Sequence, residues 1–276
     1  MQAGSTLFET EHGAIEYAIQ GSGAAVLSIH GAGGGYDQGL WLARMAFGDK
    51  HRVVSVSRYG YLRTPTPPDA SVRTQAALYR ALLDHLDIQR VLVIGTSAGG
   101  PSATQFANDY PERTSALVLL SAVSLAAAPG DKPSYFTGII HLIQRSDYAY
   151  WLMTRYLRPV ILNLMGIPAS VYASLSPAQK QLAQEMLATM HPMSRRYRGT
   201  VNDGRMLERE PVRADQITTP TLILHANDDA LVSVEHARHA HHSIPGSRLV
   251  LFETGGHGLL TRTGAVREQI DTMKGS

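Results

Sequence analysis

Short apolar runs alternate with stretches of helical period along most of this chain, and that alternation limits the folds open to it. The runs are "AIEYAIQ" (14–20), "AAVLSIHG" (24–31), "HRVVSVSR" (51–58), "RVLVIG" (90–95), "SALVLLSAV" (115–123), "TPTLILHAN" (219–227) and "SRLVLFE" (247–253). Each has the length of a strand. Between them, "TQAALYRALLDHLDI" (74–88) repeats Ala76, Leu78, Leu82, Leu83 and Leu86 at the spacing of a helix that buries one face. "SATQFANDYPER" reads as a helix stopped by Pro111. "SVEHARHAHHSI" and the C-terminal segment read as two more helices. "RVLVIG" is almost wholly apolar, as a parallel strand covered on both faces tends to be. Strands alternating with helices predict an α/β fold with a mostly parallel sheet between helical layers.

The rhythm stops at about residue 125. From "AAAPGDKPSYF" to "NDGRMLERE" no strand is evident, and the segment reads as several helices. Tyr135, Tyr148, Tyr150, Trp151, Tyr156, Tyr172 and Tyr197 fall here, with Met153, Met165, Met186, Met190 and Met193. Residues 1–125 and 211–276 therefore read as one core domain, and 126–210 as a helical insert over one end of its sheet. Most of the insert's apolar side chains must pack it onto the core. Some should line a pocket, since ligand sites are mainly apolar with few polar groups.

At 276 residues and 44% apolar content, the chain can bury a sizeable core. A formal charge of +2 with no basic run argues against a nucleic-acid partner. The absence of cysteine excludes disulfides, thiolate nucleophiles and cysteine-based metal sites. "MQAGSTLFETEHG" carries no basic segment followed by an apolar one, so no signal peptide is expected. No apolar run approaches the ~18 residues of a membrane helix, and no membrane partner is expected. A cytoplasmic location fits these features.

In open α/β sheets, ligands bind beyond the carboxyl ends of the strands. Four such ends here carry chemistry: "HGAGGG" (30–35), "GTSAGG" (95–100), "HANDD" (225–229) and "TGGHG" (254–258). In "GTSAGG" a Gly-x-Ser-x-Gly follows a strand and opens a helix, the setting of a nucleophile elbow. A Cβ at Gly95 or Gly99 would collide with neighbouring elements in such a turn. "GAGGG" is a poor phosphate cradle, because the third glycine of the dinucleotide fingerprint would fall at Tyr36. His236 and His239 share a helix face, but no carboxylate completes a metal set and a solvated face is expected. His30 reads as a structural histidine orienting the loop that follows it.

Together these pieces resemble the α/β-hydrolase fold family. They are His30-Gly31, Arg58-Tyr59-Gly60-Tyr61, Gly95-Thr96-Ser97-Ala98-Gly99, the Asp after "LILHAND" and Gly256-His257, with Ser, acid and His in the family's chain order. Two departures are "SRYGYLRT", where members often begin with Asp and have Pro in place of Tyr59, and His225, where Gly is frequent. The resemblance implies an eight-stranded, mostly parallel sheet with a helical cap. It implies a Ser97–Asp229–His257 triad, with an oxyanion hole from the N–H groups of Ala98 and Ala32. "HANDDALV" offers two acids. Asp229 is preferred because Ala226 then takes the family's Gly place and Val232 its apolar place, which leaves Asp228 to cap the turn or the helix near Ser233.

A serine hydroxyl needs a base to become a nucleophile, and a carboxylate to hold that base in the right tautomer. No cofactor or metal is needed. The expected activity is hydrolysis of a small, hydrophobic carboxylic ester or lactone through an acyl-enzyme. Carbon–carbon bond hydrolysis, cofactor-free haloperoxidase chemistry and a ligand-binding receptor with vestigial turnover are the alternatives on this fold. The expected partner is a small ester-like molecule. Monomer and homodimer are both open.

Overall fold

The computed structural model describes residues 4–126, 141–209 and 212–274. Eight strands form one sheet: β1 (Thr6–Thr10), β2 (Gly13–Gln20), β3 (Ala25–Ile29), β4 (Arg52–Val56), β5 (Val91–Thr96), β6 (Thr114–Leu120), β7 (Thr221–Ala226) and β8 (Arg248–Phe252). Their order is β1-β2-β4-β3-β5-β6-β7-β8. β2 runs antiparallel to both its neighbours, and all other pairs are parallel. This is the eight-stranded, mostly parallel sheet that the resemblance implies.

The continuous apolar strands are buried from both sides. In β5, Leu92 and Ile94 point into one core with Trp41, Leu42 and Met45 of α1 (Tyr36–Phe47) and Val266 and Ile270 of α10 (Thr263–Lys274). Val91 and Val93 point into the other, with Leu78, Leu82 and Leu83 of α2 (Val72–His85), Phe106 of α3 (Gly100–Asp109) and Ile244 beyond α9 (Val234–Ser243). The alternation of a strand's side chains turns one hydrophobic run into two cores.

Between β6 and β7 the described chain is helical: α4 (Asp147–Tyr156), α5 (Arg158–Leu164), α6 (Ala169–Ser174), α7 (Pro177–Ala188) and α8 (Tyr197–Arg209). Ser176 and Gln179 form a capping box that fixes the start of α7. Tyr135 lies outside the described residues. Two buried ion pairs tie this block to the core. Arg196 grips Asp37 of α1 with both terminal nitrogens, at 2.9 and 2.7 Å. Arg58, just after β4, grips Asp203 of α8 at 2.5 and 2.8 Å.

Two elements are not legible in the apolar pattern. β1 is an edge strand with mostly exposed side chains, so it lacks a buried stripe. α1 follows the Gly-rich loop, starts without a side-chain cap and contains Gly39.

Candidate active site

Ser97 stands where β5 gives way to α3, in a single 3-10 turn over Ser97–Gly99. Its φ of +50° is left-handed, a conformation that costs a non-glycine residue energy and persists only where its surroundings impose it. The surroundings do so. A Cβ on Gly95 would lie 2.5 Å from Ala103 Cβ, and one on Gly99 would lie 2.5 Å from the carbonyl oxygen of His30. The turn is therefore pressed against β3 and α3, as expected from the motif. Val123 N–H donates to the Ser97 carbonyl at 2.9 Å.

The loop after β3 lies against this turn. A Cβ on Gly31 would approach Ser97 Cβ to 2.9 Å. Gly31 N–H is spent on Gln38 Oε1 at 3.1 Å, and Gly34 N–H on the Gly31 carbonyl at 3.2 Å. Ala32 lies between these two spent donors. His30 organises the loop, as its sequence position suggests. Its Nδ1 lies 2.7 Å from the Gly31 carbonyl, and its Nε2 accepts from Arg58 N–H at 3.0 Å. Those partners require a neutral ring with the proton on Nδ1. Burial, reinforced by Arg58, holds His30 well below the usual histidine pKa.

His257 follows β8. Its Nδ1 is 2.8 Å from Asp229 Oδ2, which leaves Nε2 as the ring nitrogen open to a ligand or to Ser97. The other oxygen, Asp229 Oδ1, accepts from Leu231 N–H at 2.9 Å and Val232 N–H at 3.0 Å. Burial is the largest single influence and pushes the Asp229 carboxyl up, but His257, His225 and the Val232 N–H together outweigh it and hold the group below its ordinary value. His225 is fully buried beside this acid, 3.5 Å from Asp229 Oδ2, with Nε2 2.9 Å from the Val232 carbonyl.

Two expectations need correction. Asp228 does not cap a helix. Its Oδ1 accepts from Gly255 N–H and Gly256 N–H, both at 2.8 Å, and so anchors the loop that carries His257. Ser233 caps α9 with its own hydroxyl. The histidine face of α9 is not simply solvated either. His236 is buried, and its Nδ1 accepts from Ser124 N–H and Leu125 N–H. No group of three metal-ligating side chains is assembled among the described residues.

Ser97, Gly31, Ala32 and His257 line one cavity of about 580 Å³ including its mouth. Trp41, Leu42 and Met45 of α1 form one wall, Met165 and Met186 of the insert another. A hydroxyl, an imidazole backed by a carboxylate and a glycine-rich main-chain loop thus meet in a mainly apolar hollow. That set can support nucleophilic acyl transfer.

Three contributions were not read from the sequence. Gly166, between α5 and α6, accepts His257 N–H at 2.9 Å on its carbonyl, so the insert touches the histidine loop directly. Gly166 has φ +80°, and a Cβ there would lie 2.9 Å from His257 Cβ. "MGIP" is its only trace in the sequence, a turn signal inside a helical block. Gln38 orders the loop after β3. Arg58 joins the insert to that loop: its Nε donates to the His30 carbonyl at 2.9 Å while its tip holds Asp203.

Comparison with known proteins agrees with this fold. The sequence profile of the family described as alpha/beta hydrolase fold matches residues 24–260. The chain is 32% identical over 255 residues to the uncharacterized hydrolase YcgS of Bacillus subtilis, covering 89% of this chain and 88% of that protein. It is 30% identical over 196 residues to a poly(3-hydroxyalkanoate) depolymerase of Ectopseudomonas oleovorans, covering 69% of this chain and 63% of the other. Among solved structures, an alpha/beta hydrolase fold protein from Nakamurella multipartita superposes with a TM-score of 0.80 at 27% identity, covering 98% of each chain.

Proposed function

This chain belongs to the α/β-hydrolase fold family, and we propose that within it the chain is a serine hydrolase of a small, hydrophobic carboxylic ester or lactone. One observation carries the reading. Ser97, held left-handed at the turn, shares a cavity with a histidine whose Nδ1 is 2.8 Å from a buried carboxylate. In the proposed reaction His257 Nε2 takes the Ser97 proton as Oγ attacks the ester carbonyl carbon. The carbonyl π electrons move to oxygen, and the resulting anion meets the N–H groups of Ala98 and Ala32. Each such donor can contribute about 3 kcal/mol to the transition state. The tetrahedral intermediate then collapses. The bond to the alcohol oxygen breaks, and His257 gives that oxygen the proton. Water repeats the sequence on the acyl-enzyme, releasing the carboxylic acid and free Ser97. Asp229 stays ionised throughout and holds the imidazole in the tautomer that accepts at Nε2.

The apolar cavity wall favours a hydrophobic substrate part. The depolymerase relative is named for a polyester substrate, which supports ester chemistry. Residues 126–210 act in this reading as the cap that closes the substrate in. The test is turnover of p-nitrophenyl butyrate. Wild type should cycle many times, and Ser97→Ala should fold normally but lose roughly 10⁵-fold or more in kcat. Retention of more than a few per cent of the rate in Ser97→Ala rules the nucleophile out.

A further inference from the structure

A second hollow, of about 320 Å³ including its open mouth, is lined by side chains of the insert. Ile161, Leu164, Met165, Met190 and Met193 supply most of its wall. Met165 also lines the cavity that holds Ser97, so one flexible thioether side chain borders both hollows. The second cavity abuts the loop after β3. A Cβ on Gly33, the residue after Ala32, would lie 2.5 Å from Met190 Cε and 3.6 Å from both Met193 Cε and Gln144 Nε2.

Two polar side chains line this space. Tyr150 spends its hydroxyl on the Leu187 carbonyl at 2.9 Å. Gln144, at the end of a helical turn over 141–144, is only 5% exposed, and its Oε1 is buried without a hydrogen-bond partner. An amide carbonyl stripped of water and left unpaired is unfavourable, and a hydrocarbon ligand would leave it so. A leucine would fill the same position without that cost. A ligand that brings its own donor satisfies the group.

We infer that this cavity is a binding subsite for the acyl chain of the substrate, and that Gln144 selects chains bearing a hydroxyl group. The inference rests on the ester-hydrolase reading for the word acyl. His257 must face the departing alcohol to protonate it, whereas this cavity borders the oxyanion loop at Gly33 and its wall comes from the insert. The substrate class is therefore a hydroxyalkanoate ester, apolar along its length, with the hydroxyl away from the scissile carbonyl. The hydroxyl donates to Gln144 Oε1 and can accept from Nε2.

The test separates binding from turnover. Methyl ω-hydroxyalkanoates from butanoate to octanoate, and the methyl alkanoates of equal length, are titrated calorimetrically into the Ser97→Ala protein. The matching p-nitrophenyl esters are turned over by wild type. At the best chain length the hydroxy ester should bind about tenfold more tightly than its apolar partner, with the same ratio in kcat/KM. Gln144→Leu and Gln144→Met should abolish that preference by weakening the hydroxy ester while the apolar ester gains or stays level. Equal binding of the paired esters by the parent protein overturns the inference, as does a preference that survives both substitutions. If the binding preference holds and no ester is turned over, the subsite stands and the nucleophile assignment falls.

Discussion

On its sheet side the cavity is held by main chain, whereas on its insert side it is held by side chains. Ser97 is locked by Gly95 against the Ala103 Cβ and by Gly99 against the His30 carbonyl, Asp229 by two N–H donors, and the His257 loop by Asp228 bonded to two more. Across the cavity stand Met165 and Met186, on a block tied down by two arginine–carboxylate pairs. Backbone contacts cannot be changed by one substitution without moving the chain. Methionines adapt to a new ligand at little cost. In the proposed reading, reaction geometry resides in the sheet edge and substrate choice in the insert.

The comparison breaks first if the sheet side tolerates change. Asp229→Asn should lower kcat by about 10⁴-fold, because the amide favours the wrong tautomer of His257. Asp228→Asn keeps an oxygen for Gly255 and Gly256 and should stay within about tenfold of the parent. Steady-state rates on p-nitrophenyl butyrate decide between them, and the reverse order would move the acid to Asp228.

Next in size is the insert's attachment. Arg58→Met leaves the buried Asp203 carboxylate without its cation, held among the described residues only by the Tyr61 hydroxyl at 2.5 Å, and should cost about 3–5 kcal/mol in urea unfolding. A loss under 1 kcal/mol, the range of ~0–1 kcal/mol expected of exposed pairs, would mean the pair is solvated in practice.

Gly166→Ala tests the main-chain contact from the insert to His257. Its left-handed φ and the close approach of Leu231 and His257 should make it cost roughly 1–3 kcal/mol and lower kcat more than KM. An active, fully stable variant would show that the insert does not position the histidine.

The smallest expected effect is on pH. His30 and His225 are both held below the usual histidine pKa, chiefly by burial. The unfolded chain therefore binds protons near pH ~6.5 that the folded chain refuses. Their contribution is full above that pH and is lost as the pH falls toward their folded values. Tm should drop between about pH 7.5 and about pH 5.5 at constant ionic strength, and a Tm that rises would contradict the buried neutral rings.

Much of this was legible in the chain. Short-range pattern and chain order suffice to place Ser97 and His257 at the carboxyl ends of apolar strands. Asp229 was separable from Asp228 only by its offset from Ala226. What Asp228 does instead depends on two N–H groups some 27 and 28 positions away, which no local signal reports. Arg58 and Asp203 lie 145 positions apart, so their pairing is a property of the folded insert. Gly166 acts through its carbonyl and its missing Cβ, neither of which residue type alone reveals. β1 was missed because an exposed edge strand carries no buried stripe to read. Gln144, inside an apolar helical block, shows its significance only through what fails to pair with it.

Ser97 is the proposed nucleophile at this sheet edge. Labelling with a fluorophosphonate, followed by peptide mass spectrometry, tests it most directly. One covalent adduct per chain is expected, on the peptide carrying Ser97, formed in step with loss of esterase activity and absent in Ser97→Ala. An adduct on another serine, or inactivation of the Ser97→Ala protein by the same reagent, would contradict it.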